Sequence, residues 1–189
     1  MNRLFVISGP SAVGKNTVID GVKKMLPVVE ETISCTTRAP RSGEVNSVHY
    51  YFLTDDAFKD KIAHNEFLET FTVHGMRYGT LKSEVERIQK NNHLPLAVID
   101  VQGALCLKQH YPDTILIFIK PDSWEELERR LRARNTKPEE LELRLRNAQN
   151  ELMQAKFFDY QIINHTGQPA EAITEVSDVI KNTLIIDKK

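Results

Sequence analysis

The segment that most restricts the fold of this chain is Gly9-Pro10-Ser11-Ala12-Val13-Gly14-Lys15, which fits the spacing G-x-x-x-x-G-K. The apolar run Leu4-Phe5-Val6-Ile7 precedes it, and a helical pattern over residues 16–26, stopped by Pro27, follows it. A buried strand over residues 3–8, a loop over 9–15 and a helix let consecutive backbone N–H groups converge on a phosphate at a helix N-terminus. Glycine is needed where a Cβ would block that approach. Lys15 adds a positive charge for the β- and γ-phosphates of a nucleotide. The plain alternative is a glycine turn with a surface lysine, which would not call for a strand before it and a helix after it. Residue 16 is Asn, where a P-loop ordinarily places a Ser or Thr that reaches Mg²⁺; Thr17 comes one position later.

The rest of the chain repeats the rhythm. Continuous apolar runs over 95–100, 114–119 and 160–164 each precede a helical pattern, the last over 170–185. Buried strands alternating with helices imply an α/β fold with a parallel sheet and helices on both faces. Two segments depart from this. Residues 32–80 carry β-like runs at 32–35, 49–53, 67–73 and 76–78, with one helix at 54–64 and a turn at His74-Gly75; this reads as a small mixed or antiparallel insertion. Residues 122–157 carry two capping patterns, Asp122-x-x-Glu125 and Thr136-Lys137-Pro138-Glu139, and hence two helices meeting near Asn135. Trp124, Leu127 and Leu131 form one apolar stripe; Leu141, Leu145, Ala148 and Leu152 form the other, with arginines and glutamates between.

Composition enters as a set of exclusions. At 189 residues the chain suits one globular domain, and a net charge of −1 gives no global pull toward nucleic acid or anionic membrane. An anionic ligand must therefore meet a local basic cluster. Cys35 and Cys106 form neither a disulfide framework nor a metal-ligand spacing and read as small buried side chains of a reducing compartment. No apolar stretch is long enough to span a bilayer, no export signal is visible, and a cytoplasmic address follows.

The insertion holds a basic cluster of the required kind. Arg38 and Arg41, with Tyr50 about ten residues on, can clamp a phosphate through bidentate guanidinium bonds and a phenol. The same residues also suit a solvated basic loop. On the far arm, Glu69 can accept from the N1–H and exocyclic amine of guanine, an edge where adenine has neither donor; it also suits a surface glutamate. The residue pattern alone leaves both pairs open.

Taken together, GPSAVGK, SCTTRAPRSGE, YYF, FLE, YGT, IDVQG, RLRARNT, RLRNAQNE and YQIIN resemble the guanylate kinase family in order and spacing over nearly the whole chain. The resemblance implies the P-loop nucleoside monophosphate kinase fold. Its core would comprise 1–33, 81–121 and 158–189, its GMP-binding insertion 34–80, and its helical lid 122–157. It implies transfer of the γ-phosphoryl group of ATP to GMP, and to dGMP, with Mg²⁺, by a monomer or homodimer that needs no nucleic acid or membrane. By resemblance, Gly9, Pro10, Ser11, Ala12, Val13, Gly14, Lys15, Asn16 and Thr17 form the ATP phosphate site, with Asn164 on the adenine side. Arg38, Arg41, Tyr50 and Tyr78 hold the GMP phosphate. Ser34, Glu69 and Thr80 read guanine, and Asp100 lies near the guanine and the metal. Arg130, Arg134 and Arg144 act with Lys15 on the transferring group. Asn16, Thr17 and Asp100 face the metal, partly through water.

The chain departs from the family pattern at Val98, where a second carboxylate is usual, at Asn16, at His165, where aspartate is common, and in a lid one residue short. Three other readings compete: a kinase of another phosphorylated substrate, a guanylate-kinase-like binding module without catalysis, and a nucleic-acid binder using the arginine-rich stretch. Ser34, Glu69 and Thr80 weigh against the first, and the intact loop and lid arginines against the second. The interleaved glutamates weigh against the third.

Overall fold

The computed structural model describes residues 3–73, 75–133 and 138–186. In chain order it runs β1 (Phe5–Ser8), α1 (Lys15–Met25), β2 (Val29–Glu31), β3 (Cys35–Thr36), β4 (Tyr51–Phe52) and α2 (Asp55–Ala63). It continues with β5 (Phe67–Val73), β6 (Met76–Leu81), α3 (Lys82–Lys90), β7 (Leu94–Val98), α4 (Val101–His110) and β8 (Ile115–Pro121). The last elements are α5 (Trp124–Arg132), α6 (Pro138–Gln154), β9 (Tyr160–Asn164) and α7 (Pro169–Ile186). The strands make a five-stranded sheet in the order β2-β7-β1-β8-β9 and a four-stranded sheet in the order β4-β3-β6-β5. The first is the expected α/β sheet; its β8 and β9 pair in parallel, Ile119 opposite Ile162. By compactness the chain divides into two units, one of Met1–Val6 and Glu30–Thr114, the other of Ile7–Val29 and Ile115–Lys189.

In the first unit the small sheet is mixed: β3 runs parallel to β4 and antiparallel to β6, and β6 runs antiparallel to β5. One face of it packs a core of its own, made of Cys35, Phe58, Phe67 and Leu81, with Tyr51 and Leu53 at the edge. Phe58 and Phe67 stack at 4.5 Å between centroids. Burial there pushes the Cys35 thiol up to about 12, which makes it an inert filler of the core. Helix α2 starts where Thr54 accepts from the Ala57 N–H (3.2 Å), with Asp55 and Asp56 favouring the positive end of the helix.

The single strand expected over 32–35 is divided. The Thr32 N–H still donates to the Leu96 carbonyl of β7 (2.9 Å), whereas Cys35 already pairs with Gly79 and Tyr51 in the small sheet. The chain changes sheets at residues 33–34, so one β-like run serves two ladders. Cys106, expected to be buried, is exposed. The inward face of α4 is Val101, Ala104 and Leu107, and residue 106 lies off that stripe.

In the second unit α1 packs on α7 closely enough that a Cβ on Gly21 would run into the side chain of Ile173. The cap of α5 differs by one residue from the expected Asp122 pattern. Ser123 is the N-cap and accepts from the Glu126 N–H (3.1 Å). The Asp122 carboxylate instead accepts from the Thr166 N–H (3.0 Å) and the Ser123 N–H (3.2 Å), so it ties two loops together. Leu127 and Leu131 are fully buried, as their stripe requires. Thr136 and Lys137 of the second capping pattern, and Asn135, lie outside the described residues; α6 begins at Pro138, in the first-turn position that proline favours.

Candidate active site

In the second unit, the loop between β1 and α1 is shaped by three left-handed or otherwise positive-φ residues, Gly9 (φ 143°), Ala12 (φ 66°) and Gly14 (φ 99°). A Cβ on Gly9 would strike the Ile119 carbonyl of β8, and one on Gly14 would strike the Asn164 amide of β9. Both glycines are thus required by packing as well as by conformation. Gly14 is the N-cap of α1 and offers no side chain to it, and no acidic residue lies in the first turn. The N–H groups there are left for an anion, whereas α2, α4 and α5 are capped by Thr54, Asp100 and Ser123.

Lys15 bends back over the loop, its Nζ donating to the carbonyls of Gly9 (2.6 Å) and Pro10 (3.0 Å). Two arms reach the Val13 carbonyl: Asn164 Nδ2 at 2.8 Å and Arg130 Nη1 at 3.4 Å. Asn164 is buried, and its Oδ1 has no hydrogen-bond partner among the described residues. Arg130 also donates to Glu126 Oε1 (2.7 Å) and to the Thr166 hydroxyl (2.6 Å). Arg129 and then Arg130 hold the Glu126 carboxyl down at about 2. Five of the residues singled out in the sequence, Gly9, Gly14, Lys15, Arg130 and Asn164, therefore converge on one loop. Asn16 and Thr17 are exposed on the first turn of α1. Arg144 lies on α6 and pairs with Glu140 Oε1 (3.1 and 2.6 Å); Arg134 lies outside the described residues.

In the first unit, Glu69 on β5 faces Thr80 on β6 across an antiparallel pair. Glu69 is only 6% exposed, which removes the surface-glutamate reading. Among the described residues, neither of its oxygens, nor the buried Thr80 hydroxyl, has a hydrogen-bond partner. Burial, reinforced by the negative charge of Asp100, pushes the Glu69 carboxyl up to about 7. Thr80 offsets part of this electrostatically without a bond of ordinary geometry. Asp100 caps α4, its Oδ1 accepting from the Gly103 N–H (2.6 Å). Ser34, next to β3, accepts at its carbonyl from the Tyr51 N–H (2.9 Å).

The basic cluster of this unit is built around Arg38. Its guanidinium makes a two-toothed pair with Glu44 (2.9 and 2.8 Å) and lies over the rings of Tyr50 (5.5 Å) and Phe52 (5.8 Å). Tyr50 meets Tyr78 edge-on at 6.2 Å, and Tyr78 stacks on Phe71 at 5.5 Å. Arg38, followed by the Arg41 N–H (2.7 Å), holds the Glu44 carboxyl down at about 2. Burial beside the Tyr78 phenol pushes the Tyr50 hydroxyl up, so it stays a neutral donor. Arg41 is exposed, and its guanidinium forms no ion pair among the described residues.

The match to known proteins is as broad as the geometry suggests. The family model described as guanylate kinase covers residues 1–183. The chain belongs to the guanylate kinase family. It is 43% identical over 183 residues to the guanylate kinase of Fusobacterium nucleatum, covering 96% of this chain and 97% of that one. It is 41% identical over 186 residues to that of Streptomyces coelicolor, covering 97% and 89%. Among solved structures, guanylate kinase from Anaplasma phagocytophilum superposes with a TM-score of 0.74 at 28% identity, over 96% of this chain and 85% of that one. As a member of this kinase family, the chain is a phosphoryl transferase on a P-loop α/β scaffold.

Three supporting residues escaped the sequence reading. Glu126, four positions before Arg130, was legible from helical spacing. Glu44 holds Arg38 through a turn with no periodic signal, and Thr166 meets Arg130 from 36 positions away.

Proposed function

We propose that the chain catalyses the reaction of its family, transfer of the γ-phosphoryl group of ATP to GMP or dGMP, giving ADP and GDP or dGDP. The observation that carries the reading is Glu69, a buried carboxylate with two unpartnered oxygens. Guanine presents two donors on one edge, N1–H and the exocyclic amine, and would satisfy both. Thr80 and Ser34 add polar contacts to the base. Arg38, Arg41, Tyr50 and Tyr78 take the GMP phosphate, with Arg38 already aimed by Glu44.

The GMP phosphate oxygen is anionic and needs no general base, so the chain's work is alignment and charge neutralisation. The loop 9–15 and the start of α1, with Asn16 and Thr17, hold the ATP phosphates, and Asn164 lies on the adenine side. Lys15 exchanges its two carbonyls for phosphate oxygens. Arg130, Arg134 and Arg144 stabilise charge on the transferring group; for Arg130 this means trading a part-buried pair with Glu126, and for Arg144 a more exposed pair with Glu140, for a multiply charged phosphate. We retain the partition into a core (1–33, 81–121, 158–189), a GMP-binding insertion (34–80) and a lid (122–157).

The donor set suits Mg²⁺. By the family resemblance, Asp100 would supply a carboxylate and Asn16 and Thr17 neutral oxygens. Among the described residues no group of three or more His, Cys, Asp or Glu side chains is arranged to hold a metal alone. Such oxygen donors fit a hard cation bound largely through phosphates and water. The ion would supply further neutralisation of the phosphate charge. We further propose a cytoplasmic monomer or homodimer serving purine nucleotide metabolism, without nucleic-acid or membrane partners; no helix of the described residues is long and apolar enough to cross a membrane.

The test is a coupled assay of ADP formation with GMP, AMP, CMP and UMP. Mg²⁺-dependent turnover with GMP far above the others is expected. Folded protein that binds GMP without turnover would favour a binding module instead.

A further inference from the structure

Glu84 has no place in the site described above, yet it is a buried carboxylate, 3% exposed, in the first turn of α3. That position ordinarily serves a capping box, with the side chain turned back to its own helix. Here it turns outward. Oε1 accepts from the Ile33 N–H (3.1 Å) and from Arg87 (2.8 Å), and Oε2 accepts from the Tyr51 hydroxyl (3.2 Å) and from Arg87 (3.2 Å). Arg87 is in turn braced by Glu30 (2.7 Å). Burial by itself would raise the Glu84 carboxyl; Arg87, the Ile33 amide and Tyr51 together outweigh it and keep the group ionised.

These bonds close a ring. Ile33 is the residue before Ser34; the Ser34 carbonyl accepts from the Tyr51 N–H (2.9 Å); and the Tyr51 hydroxyl returns to Glu84. Tyr51 follows Tyr50 directly, and Glu84 comes four positions after Thr80, across the join of β6 to α3. The ring lies where the chain leaves β2 for β3, at residues that have no regular ladder to hold them.

We propose that Glu84 is a positioning residue for the acceptor nucleotide, one carboxylate that sets Ser34 and Tyr50 in register with Thr80. The inference rests on the reading of this unit as the GMP site. Glu84 touches no substrate; it acts through the backbone at 33–34 and the strand at 50–51. Because the Glu84 carboxylate is itself buried and its bonds are charge-assisted, their loss is not fully compensated by water.

The experiment measures KM for GMP and for ATP, kcat and Tm in the parent, Glu84→Gln, Tyr51→Phe and the double variant. Glu84→Gln keeps the shape and loses the charge. Its KM for GMP should rise about tenfold, and that of Tyr51→Phe about threefold, with KM for ATP within about twofold of the parent. The double variant should resemble Glu84→Gln, because both changes cut the same ring. A lowered Tm with an unchanged KM for GMP, or an equal rise for ATP and GMP, overturns the proposal. Should Glu84→Gln not fold, Tyr51→Phe decides by the same readout. A parent without GMP-dependent turnover would sink the functional reading instead, whatever Glu84 does.

Discussion

Lys15 and Glu69 are the central charges of the two units, and they are treated in opposite ways. Lys15 is partly exposed and rests on the loop carbonyls of Gly9 and Pro10. Glu69 is buried with both oxygens unpartnered, and its carboxyl is pushed up to about 7. A phosphate is recognised by charge and by backbone N–H groups that any nucleotide can use, so the loop unit has no need to bury an uncompensated group. A base is recognised by a pattern of donors, and a pattern discriminates only if a wrong ligand leaves something unpaired. Under the proposed function, the difference assigns selectivity to the unit of Glu69 and rate to the unit of Lys15.

The sharpest way to break this contrast is Glu69→Gln. The amide keeps one acceptor and turns a donor toward the donors of guanine. The ratio of kcat/KM for GMP over AMP should fall about 10³-fold, the larger part of what such sites achieve. An unchanged ratio would remove Glu69 as the guanine reader. Lys15→Met should instead lower kcat by about 10²–10³-fold, the loss typical of one electrostatic stabiliser, and leave the GMP Kd near the parent value. A shift in GMP Kd comparable to the loss in kcat would erase the division of labour.

Without nucleotide, Glu69 should also be visible in stability. Its folded carboxyl titrates above the unfolded one, so the folded state binds more protons between pH 4.5 and about 7. Stability is therefore greatest below that window and falls as pH rises through it, by up to about 3 kcal/mol from this group. Melting curves from pH 5 to 8 should show a decline that Glu69→Gln flattens and GMP opposes. A parallel decline in the variant would mean that other groups carry it. The smallest expected effect concerns the two clamp arginines. Arg41, exposed and without an ion pair among the described residues, should act on the ligand alone: Arg41→Met should raise KM for GMP by about ten- to a hundredfold with Tm nearly unchanged. Arg38→Met should lower Tm as well, because Glu44 and the Tyr50 ring lose a shared partner. Equal Tm values for the two variants would contradict that difference.

Much of the loop unit was legible beforehand because its signals are local. The glycine spacing, the apolar run before it and the strand at 160–164 are each contained in a few consecutive residues, and β9 matches its expected bounds. The insertion was harder. Its strands β3 and β4 are only two residues long, and their partners lie tens of positions away. The run at 32–35 looked like one strand because hydrophobic pattern records burial, not which sheet does the burying. The cap of α5 slipped by one because Asp122 and Ser123 are both good caps; the contact with Thr166, invisible in sequence, takes Asp122 away.

The sequence by itself determined the chemistry: a phosphate loop, a basic and aromatic cluster, and a carboxylate at residue 69, all of them residue types at short spacings. Only the tertiary structure decided what each side chain faces. Among the described residues it turned Glu69 from a possible surface charge into a buried, unpartnered acceptor, committed Asn164 to the Val13 carbonyl, fastened Arg38 to Glu44 and left Arg41 without an ion pair. It also gave Glu84, which reads as an ordinary helix glutamate, four hydrogen bonds across 51 and 33 positions of chain and within its own helix. The reason is physical: a side chain's type is written locally, but its solvation and its partners are set by residues that only the completed fold brings near.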